Sequence, residues 1–216
     1  MNTDLARDQM VRQQVRTWDV LDRRILDAMG ALPRDRFVPS AYREVAFADS
    51  RIPLAHGQVM LAPKVAGRLL QGLALQPSDR VLEIGTGSGY VTACLSRLAA
   101  HVTSVDLFAD LTAAAKAALA ETGCNNVELQ TADAFTLAAN ERYDAIAITG
   151  SLPVYDARFE QMLRHSGRLF VIVGHPPVMD ARVVTRVGDS DWVTTSLFET
   201  NTPALINAPD PAQFRF

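Results

Sequence analysis

The stretch Arg80–Leu98, "RVLEIGTGSGYVTACLSRL", decides the fold. Val81, Leu82 and Ile84 form a short apolar run, the mark of a buried strand. Gly85, Gly87 and Gly89 then alternate with Thr86 and Ser88, and a helical pattern runs on to Leu98. Glycines after a strand let the backbone turn tightly and come close to a ligand. Glu83 breaks the apolar run where the strand should end, so a carboxylate is expected beside the loop.

Downstream, strands and helices alternate. "HVTSVD" (101–106), "VELQTAD" (127–133), "YDAIAIT" (143–149) and "RLFVIVG" (168–174) read as strands. "FADLTAAAKAALAETG" (108–123) and "YDARFEQMLRHSG" (155–167) read as helices closed by Gly123 and Gly167. "ARVVTRVG" (181–188) and "DWVTTSLFET" (191–200) read as an edge hairpin turning at "GDSD". This order predicts an α/β fold: a doubly wound, mostly parallel, Rossmann-like sheet with an antiparallel C-terminal edge. Upstream, helices are expected over 3–18, over 22–32 with Asp22 as N-cap, and over 62–75 with Pro63 in the first turn. A proline-punctuated connector, 33–54, lies between them. The chain is expected to be one domain: a helical segment and loop (1–79), a core (80–199) and a loop-like tail (200–216).

Composition bounds the partners. With 216 residues, 48% hydrophobic, and a net charge of -3, the chain can bury one sizeable core. It carries no basic excess for nucleic acid or an anionic membrane. Its apolar runs are too short to span a bilayer, and its N-terminus has no apolar core of a secretory signal. Cys94 and Cys124 lack metal-like spacing and read as thiols in a reducing cytoplasm. His56, His101, His165 and His175 fall in four separate segments, so no metal site is expected; His56, inside the 55–64 loop, is the one to watch.

Ligands of open α/β sheets bind beyond the carboxyl ends of the strands. The dinucleotide pattern G-x-G-x-x-G is missed: the third glycine comes one residue early and Tyr90 takes the last place. Glu83 would also oppose a pyrophosphate, whereas it suits a cation. The spacing E-x-G-x-G-x-G resembles the class I methyltransferases, whose cofactor S-adenosyl-L-methionine carries a sulfonium and an ammonium and no phosphate. On that resemblance Glu83, Gly85, Thr86, Gly87, Ser88 and Gly89 hold the cofactor's cationic end. Asp106 and Leu107 meet the ribose, Asp133 and Ala134 the adenine with its amino group on Asp133, and Thr149 with Gly150 the methionine portion.

A second resemblance lies upstream. Residues 31–90, with Pro33, Arg34, Phe37, Val38, Pro39, Asp49, Gly57, Gln58 and Pro63, are similar to the protein-L-isoaspartate O-methyltransferase family. "YDAIAITGSLP" and "LRHSGRLFVIVG" extend the similarity to about Gly174. It implies methylation of an isoaspartyl carboxyl group in damaged protein. The family's loop reads threonine-isoleucine-serine and then x-proline-histidine, where this chain has "VMLAPK". Val59 replaces the threonine, Leu61 the serine and Lys64 the histidine. An acceptor carboxylate is already ionised at neutral pH, so transfer to it needs alignment and dryness and no general base. No catalytic residue is therefore assigned. Val59, Met60, Leu61 and Lys64 are expected to shape the acceptor side. Leu61 would pack over the cofactor, and Lys64 would either meet the acceptor carboxylate or sit solvated in a first helical turn. The acceptor stays open between an isoaspartyl protein or peptide and a small acid or other nucleophile. A non-catalytic cofactor-binding module is the third reading.

Overall fold

In the computed structural model, residues 3–138 and 140–210 are described. The apolar runs become strands of one seven-stranded sheet. β3 (Arg80–Ile84), β4 (His101–Asp106), β5 (Val127–Thr131), β6 (Tyr143–Leu152) and β7 (Leu163–His175) run parallel, and β8 (Val178–Arg186) and β9 (Trp192–Thr200) complete it antiparallel. The order is β5-β4-β3-β6-β7-β8-β9, so the first crossover reverses beside β3. This is the mostly parallel sheet with an antiparallel edge that the alternation predicts.

Side chains alternate across the strands, and the central ones are buried on both faces, as parallel sheets require. Val81, Ala145, Ala147, Phe170 and Ile172 face one core, shared with α3 (Pro63–Leu73), α4 (Tyr90–Leu98) and α5 (Ala109–Glu121). Leu82, Ile84, Ile146, Ile148, Leu169 and Val171 face the other. The N-terminal segment packs into the first core through Met10, Val15, Ile25 and Met29.

The predicted helix over 3–18 is realised in three pieces. α1 (Thr3–Gln9) passes into a π-helical stretch, Met10–Val15, and a 3-10 turn, Arg16–Trp18. The wider π turn brings Met10, Val11 and Val15 to the buried side together. Asp22 caps α2 (Arg23–Ala31) by accepting from the Arg24 amide at 2.8 Å. The connector is not featureless. It holds 3-10 turns and β1 (Ile52–Pro53), which pairs antiparallel with β2 (Val59–Met60).

The helix predicted over 155–167 does not form. The segment makes only a 3-10 turn, Glu160–Met162, and β7 starts at Leu163 rather than Arg168. Tertiary pairing overrides the helical pattern. Leu163 pairs with Tyr143, and Phe159, Met162 and Leu163 plug the second face of the sheet. The tail also differs from a free loop. The Ser151 amide donates to the Pro203 carbonyl and the Leu205 amide to the Ser151 carbonyl, both at 2.9 Å, fastening the tail to the end of β6. The last residues of the expected tail, 211–216, lie outside the described residues.

Candidate functional site

The turn after β3 holds its shape through positions that only glycine fits. Gly85 sits at φ +94°, and a Cβ there would lie 2.3 Å from Thr149 Oγ1. That hydroxyl donates to the Gly85 carbonyl at 2.6 Å, which ties the loop to the end of β6. Gly89 has another duty: it caps α4, and a Cβ there would meet the Ala115 Cβ at 2.9 Å. It serves helix packing and lines no cavity.

A cavity opens beyond the ends of β3, β4, β5 and β6. Gly85, Gly87, Asp106, Leu107, Asp133, Ala134, Thr149 and Gly150 from the sequence reading all line it, together with Val59. Asp106 accepts from the Gly87 amide at 2.8 Å and the Phe108 amide at 3.0 Å, so its carboxylate orders both loops of the crevice. Asp133 accepts from the Phe135 amide and from Asn207 Nδ2, each at 2.8 Å. Among the described residues the lining contains these two acids and no lysine, arginine or histidine. Such a wall suits an adenosyl ligand bearing cations and disfavours a pyrophosphate. Together with the glycine cradle, the residues present fit S-adenosylmethionine.

Gln58, named for its place in the family pattern, also lines the cavity, as do Phe108, Phe135, Thr202, Pro203, Leu205 and Ile206, which sequence reasoning did not find. The tail residues are held at it by the pairing with Ser151 and by Asn207 on Asp133, contacts for which the local sequence carries no signal.

A smaller cleft adjoins the first and shares Val59, Gly85, Gly87 and Thr149 with it. Met60, Leu61, Thr86, Ser88, Tyr90 and Val91 complete it. The 59–61 loop and the glycine loop therefore face each other, as the sequence reading expects. Leu61 is buried, and its carbonyl accepts from Arg34 Nη2 at 2.8 Å.

Two expectations need correction. Glu83 lines neither cavity. Its side chain points into the helix-side core, where Ser104 faces it across the β3–β4 ladder and donates at 2.6 Å, and Thr92 of α4 donates to the same oxygen. Ser104 also bonds Thr86 at 2.6 Å, so the network supports the glycine loop from below. Burial pushes the Glu83 carboxyl up to about 8; the two hydroxyl donors pull the other way, and nearby Asp106 adds to the rise. Glu83 is thus mainly a neutral acid at pH 7 and offers a cation no full counter-charge. Lys64 is neither a solvated lysine nor a cleft donor. Its ammonium pairs with Asp49 at 2.7 Å and lies 4.3 Å from the centre of the Trp18 ring.

His56 has a defined place. It adopts φ +57° in a 3-10 turn, stacks on Phe108 with centroids 4.0 Å apart, and reaches both Asp110 oxygens at 2.9 Å. The pairing draws the Asp110 carboxyl below its ordinary range, chiefly through the His56 hydrogen bond. The 55–64 loop is thereby joined to the start of α5 across the cavity rim. Among the described residues no His, Cys, Asp and Glu cluster could hold a metal ion.

Comparison with known proteins agrees with this architecture. The profile of the family Protein-L-isoaspartate(D-aspartate) O-methyltransferase (PCMT) matches residues 6–201. A protein-L-isoaspartate O-methyltransferase of Rhodopseudomonas palustris (strain ATCC BAA-98 / CGA009) is 36% identical over 210 residues, covering 94% of this chain and 96% of that one. A protein-L-isoaspartate O-methyltransferase 2 of Anaeromyxobacter sp. (strain Fw109-5) is 39% identical over 168 residues, covering 77% and 69%. Among solved structures, a Plasmodium falciparum protein in complex with S-adenosyl-L-homocysteine superposes with a TM-score of 0.80 at 15% identity, covering 92% of this chain and 97% of that one, which speaks for the fold. With a profile match that takes in both the glycine loop and the 59–64 loop, the chain belongs to the protein-L-isoaspartate(D-aspartate) O-methyltransferase family.

Proposed function

We infer that this chain is an S-adenosyl-L-methionine-dependent carboxyl O-methyltransferase that methylates isoaspartyl residues in damaged proteins. The family match over residues 6–201 carries the reading. The cavity, whose described lining holds two acids and no basic side chain, supports it independently.

When bound, S-adenosylmethionine supplies a methyl group activated by a sulfonium. Held by the residues of the cavity, it would give that methyl to a carboxylate oxygen as the carbon–sulfur bond breaks, leaving a methyl ester and a neutral thioether, so the chain would need no proton donor or acceptor. The protein's part is to align the groups and keep water out. In this reading Asp106 accepts from the ribose hydroxyls and Asp133 from the adenine amino group, with Leu107 and Ala134 as apolar floor. Thr149 and Gly85 lie at the junction of cavity and cleft, where the transferring group belongs. Val59, Met60 and Leu61 form the dry wall on the acceptor side. Glu83 acts from beneath as a neutral brace of the loop.

Leu61, standing where the family has serine, gives a second acceptor a specific basis: a small acid that needs no hydroxyl donor. A labelled-methyl assay with an isoaspartyl peptide beside a panel of small carboxylic acids separates the two. Transfer to the peptide well above every small acid supports the reading, and the reverse order overturns it. We assign the chain to the cytoplasm on its two buried free thiols, Cys94 and Cys124. No helix among the described residues is long and apolar enough to cross a membrane.

A further inference from the structure

Arg34 is fully buried, and no carboxylate among the described residues pairs with it. Its Nε donates to the Ala46 carbonyl and its Nη2 to the Leu61 carbonyl, both at 2.8 Å. The remaining neighbour of the guanidinium is the neutral phenol of Tyr90, whose ring centre lies 4.6 Å from the guanidinium carbon and whose buried hydroxyl lies within its reach, so among the described residues the charge has polar neighbours and no anion. Taking a cation out of water without an anion is costly, and carbonyl oxygens with a ring face return only part of that cost. A leucine or methionine would fill the space without the penalty.

Position suggests what the charge is for. Leu61 and Tyr90, two of the groups Arg34 touches, both line the small cleft next to the cofactor cavity. Val59, Met60 and Val91 give that cleft apolar walls, which screen a nearby charge poorly and focus its field. Asp106, held at the cofactor cavity by the Gly87 and Phe108 amides, is the one nearby charge that opposes an anion; the others are offset. Lys64 is neutralised by Asp49, and Glu83 is held neutral by burial. We propose that Arg34 is the positioning residue that makes the cleft select an anionic acceptor: its guanidinium, bonded to neutral groups and to no carboxylate, lies one hydrogen bond behind the cleft wall and meets its counter-charge when a carboxylate binds. The proposal rests on the reading of the chain as a carboxyl methyltransferase, and it explains how a carboxylate is favoured where Leu61 leaves no hydroxyl to receive it.

The test compares an isoaspartyl peptide with the same peptide bearing the neutral side-chain amide. Binding of each to the full chain is measured by calorimetry with S-adenosyl-L-homocysteine present, so that no turnover intervenes. The wild type should prefer the acid. Arg34→Met should lower the acid-to-amide affinity ratio about tenfold, the scale of one unit-charge interaction at intermediate dielectric. Affinity for the amide and for the cofactor product should hold. Arg34→Lys keeps the charge and loses the fork, and should retain most of the preference. A ratio near one in the wild type, or a parallel loss for both peptides in Arg34→Met, would reduce Arg34 to a structural clamp and overturn the proposal. Should Arg34→Met fail to fold, Arg34→Gln, neutral and still able to donate to a carbonyl, takes its place: a fall in the ratio supports the charge, an unchanged ratio refutes it. Absence of methyl transfer to the isoaspartyl peptide overturns the functional reading instead, and is scored separately from the binding ratio.

Discussion

Glu83→Gln should make folding stability less dependent on pH, and the size of the change follows from where Glu83 sits. The side chain is fully buried, and one oxygen takes both hydroxyl donors, Ser104 and Thr92, while the other has no partner. A glutamine carboxamide keeps the doubly bonded oxygen and puts its amino group in the free position. The substitution therefore removes the titrating proton and places an amino group where no acceptor lies among the described residues, a cost that does not vary with pH. In the folded chain the carboxyl titrates at about 8, against a reference value of 4.5. Between those values the folded state holds a proton that the unfolded state has lost. The stability supplied by the neutral acid is thus complete below about pH 4.5 and is lost as pH rises toward 8. The slope approaches 1.36 kcal/mol per pH unit, so from pH 5 to 7 the wild type should lose roughly 2–3 kcal/mol relative to Glu83→Gln. Subtracting the variant cancels the other titrating groups. Urea unfolding of both proteins at pH 5, 6 and 7, followed by circular dichroism, reads the difference directly. A difference constant across that range would mean that Glu83 titrates like an exposed carboxyl, and the neutral-brace account would be wrong.

Asp106→Ala should weaken S-adenosylmethionine binding about ten- to a hundredfold, the scale of hydrogen bonds to a charged acceptor, and calorimetry measures it; an unchanged dissociation constant in a folded variant would remove Asp106 from the site. Gly85→Ala places a methyl against Thr149 Oγ1 at a φ of +94°, so it should cost roughly 1–3 kcal/mol in thermal or urea unfolding, and adding Thr149→Ala should recover part of the loss. Leu61→Ser should raise the rate of isoaspartyl methylation with cofactor affinity little changed, because only the acceptor side of the transition state is touched; a slower variant would show that leucine belongs to a different working solution.

The strand–loop–helix unit from Arg80 was legible because its signals are local: an apolar run, glycines at positive φ, then helical periodicity. Asp106 and Asp133 were legible for a related reason, since Asp106 ends β4, Asp133 follows two residues after β5, and parallel strands end on one side of the sheet. Glu83 was misread because alternation along β3 turns its side chain into the helix-facing core, away from the crevice, and the hydroxyls that meet it come from β4 and α4. Lys64 was misread because its partners, Asp49 and Trp18, are distant in sequence. The 155–167 segment has helical spacing, yet its apolar residues are spent on plugging the second sheet face and starting β7. Leu205 and Ile206 reach the cavity by pairing with Ser151, a contact that local pattern cannot encode.

The central claim is that this cavity and cleft serve methyl transfer from S-adenosylmethionine to an isoaspartyl carboxylate. Two peptides that differ only in having an aspartyl or an isoaspartyl linkage, incubated with the protein and methyl-labelled cofactor, test it most directly. The account predicts base-labile label on the isoaspartyl peptide, little on its aspartyl twin, and loss of the label with Asp106→Ala at limiting cofactor. Equal labelling of both peptides, or of neither while the cofactor binds tightly, would contradict it.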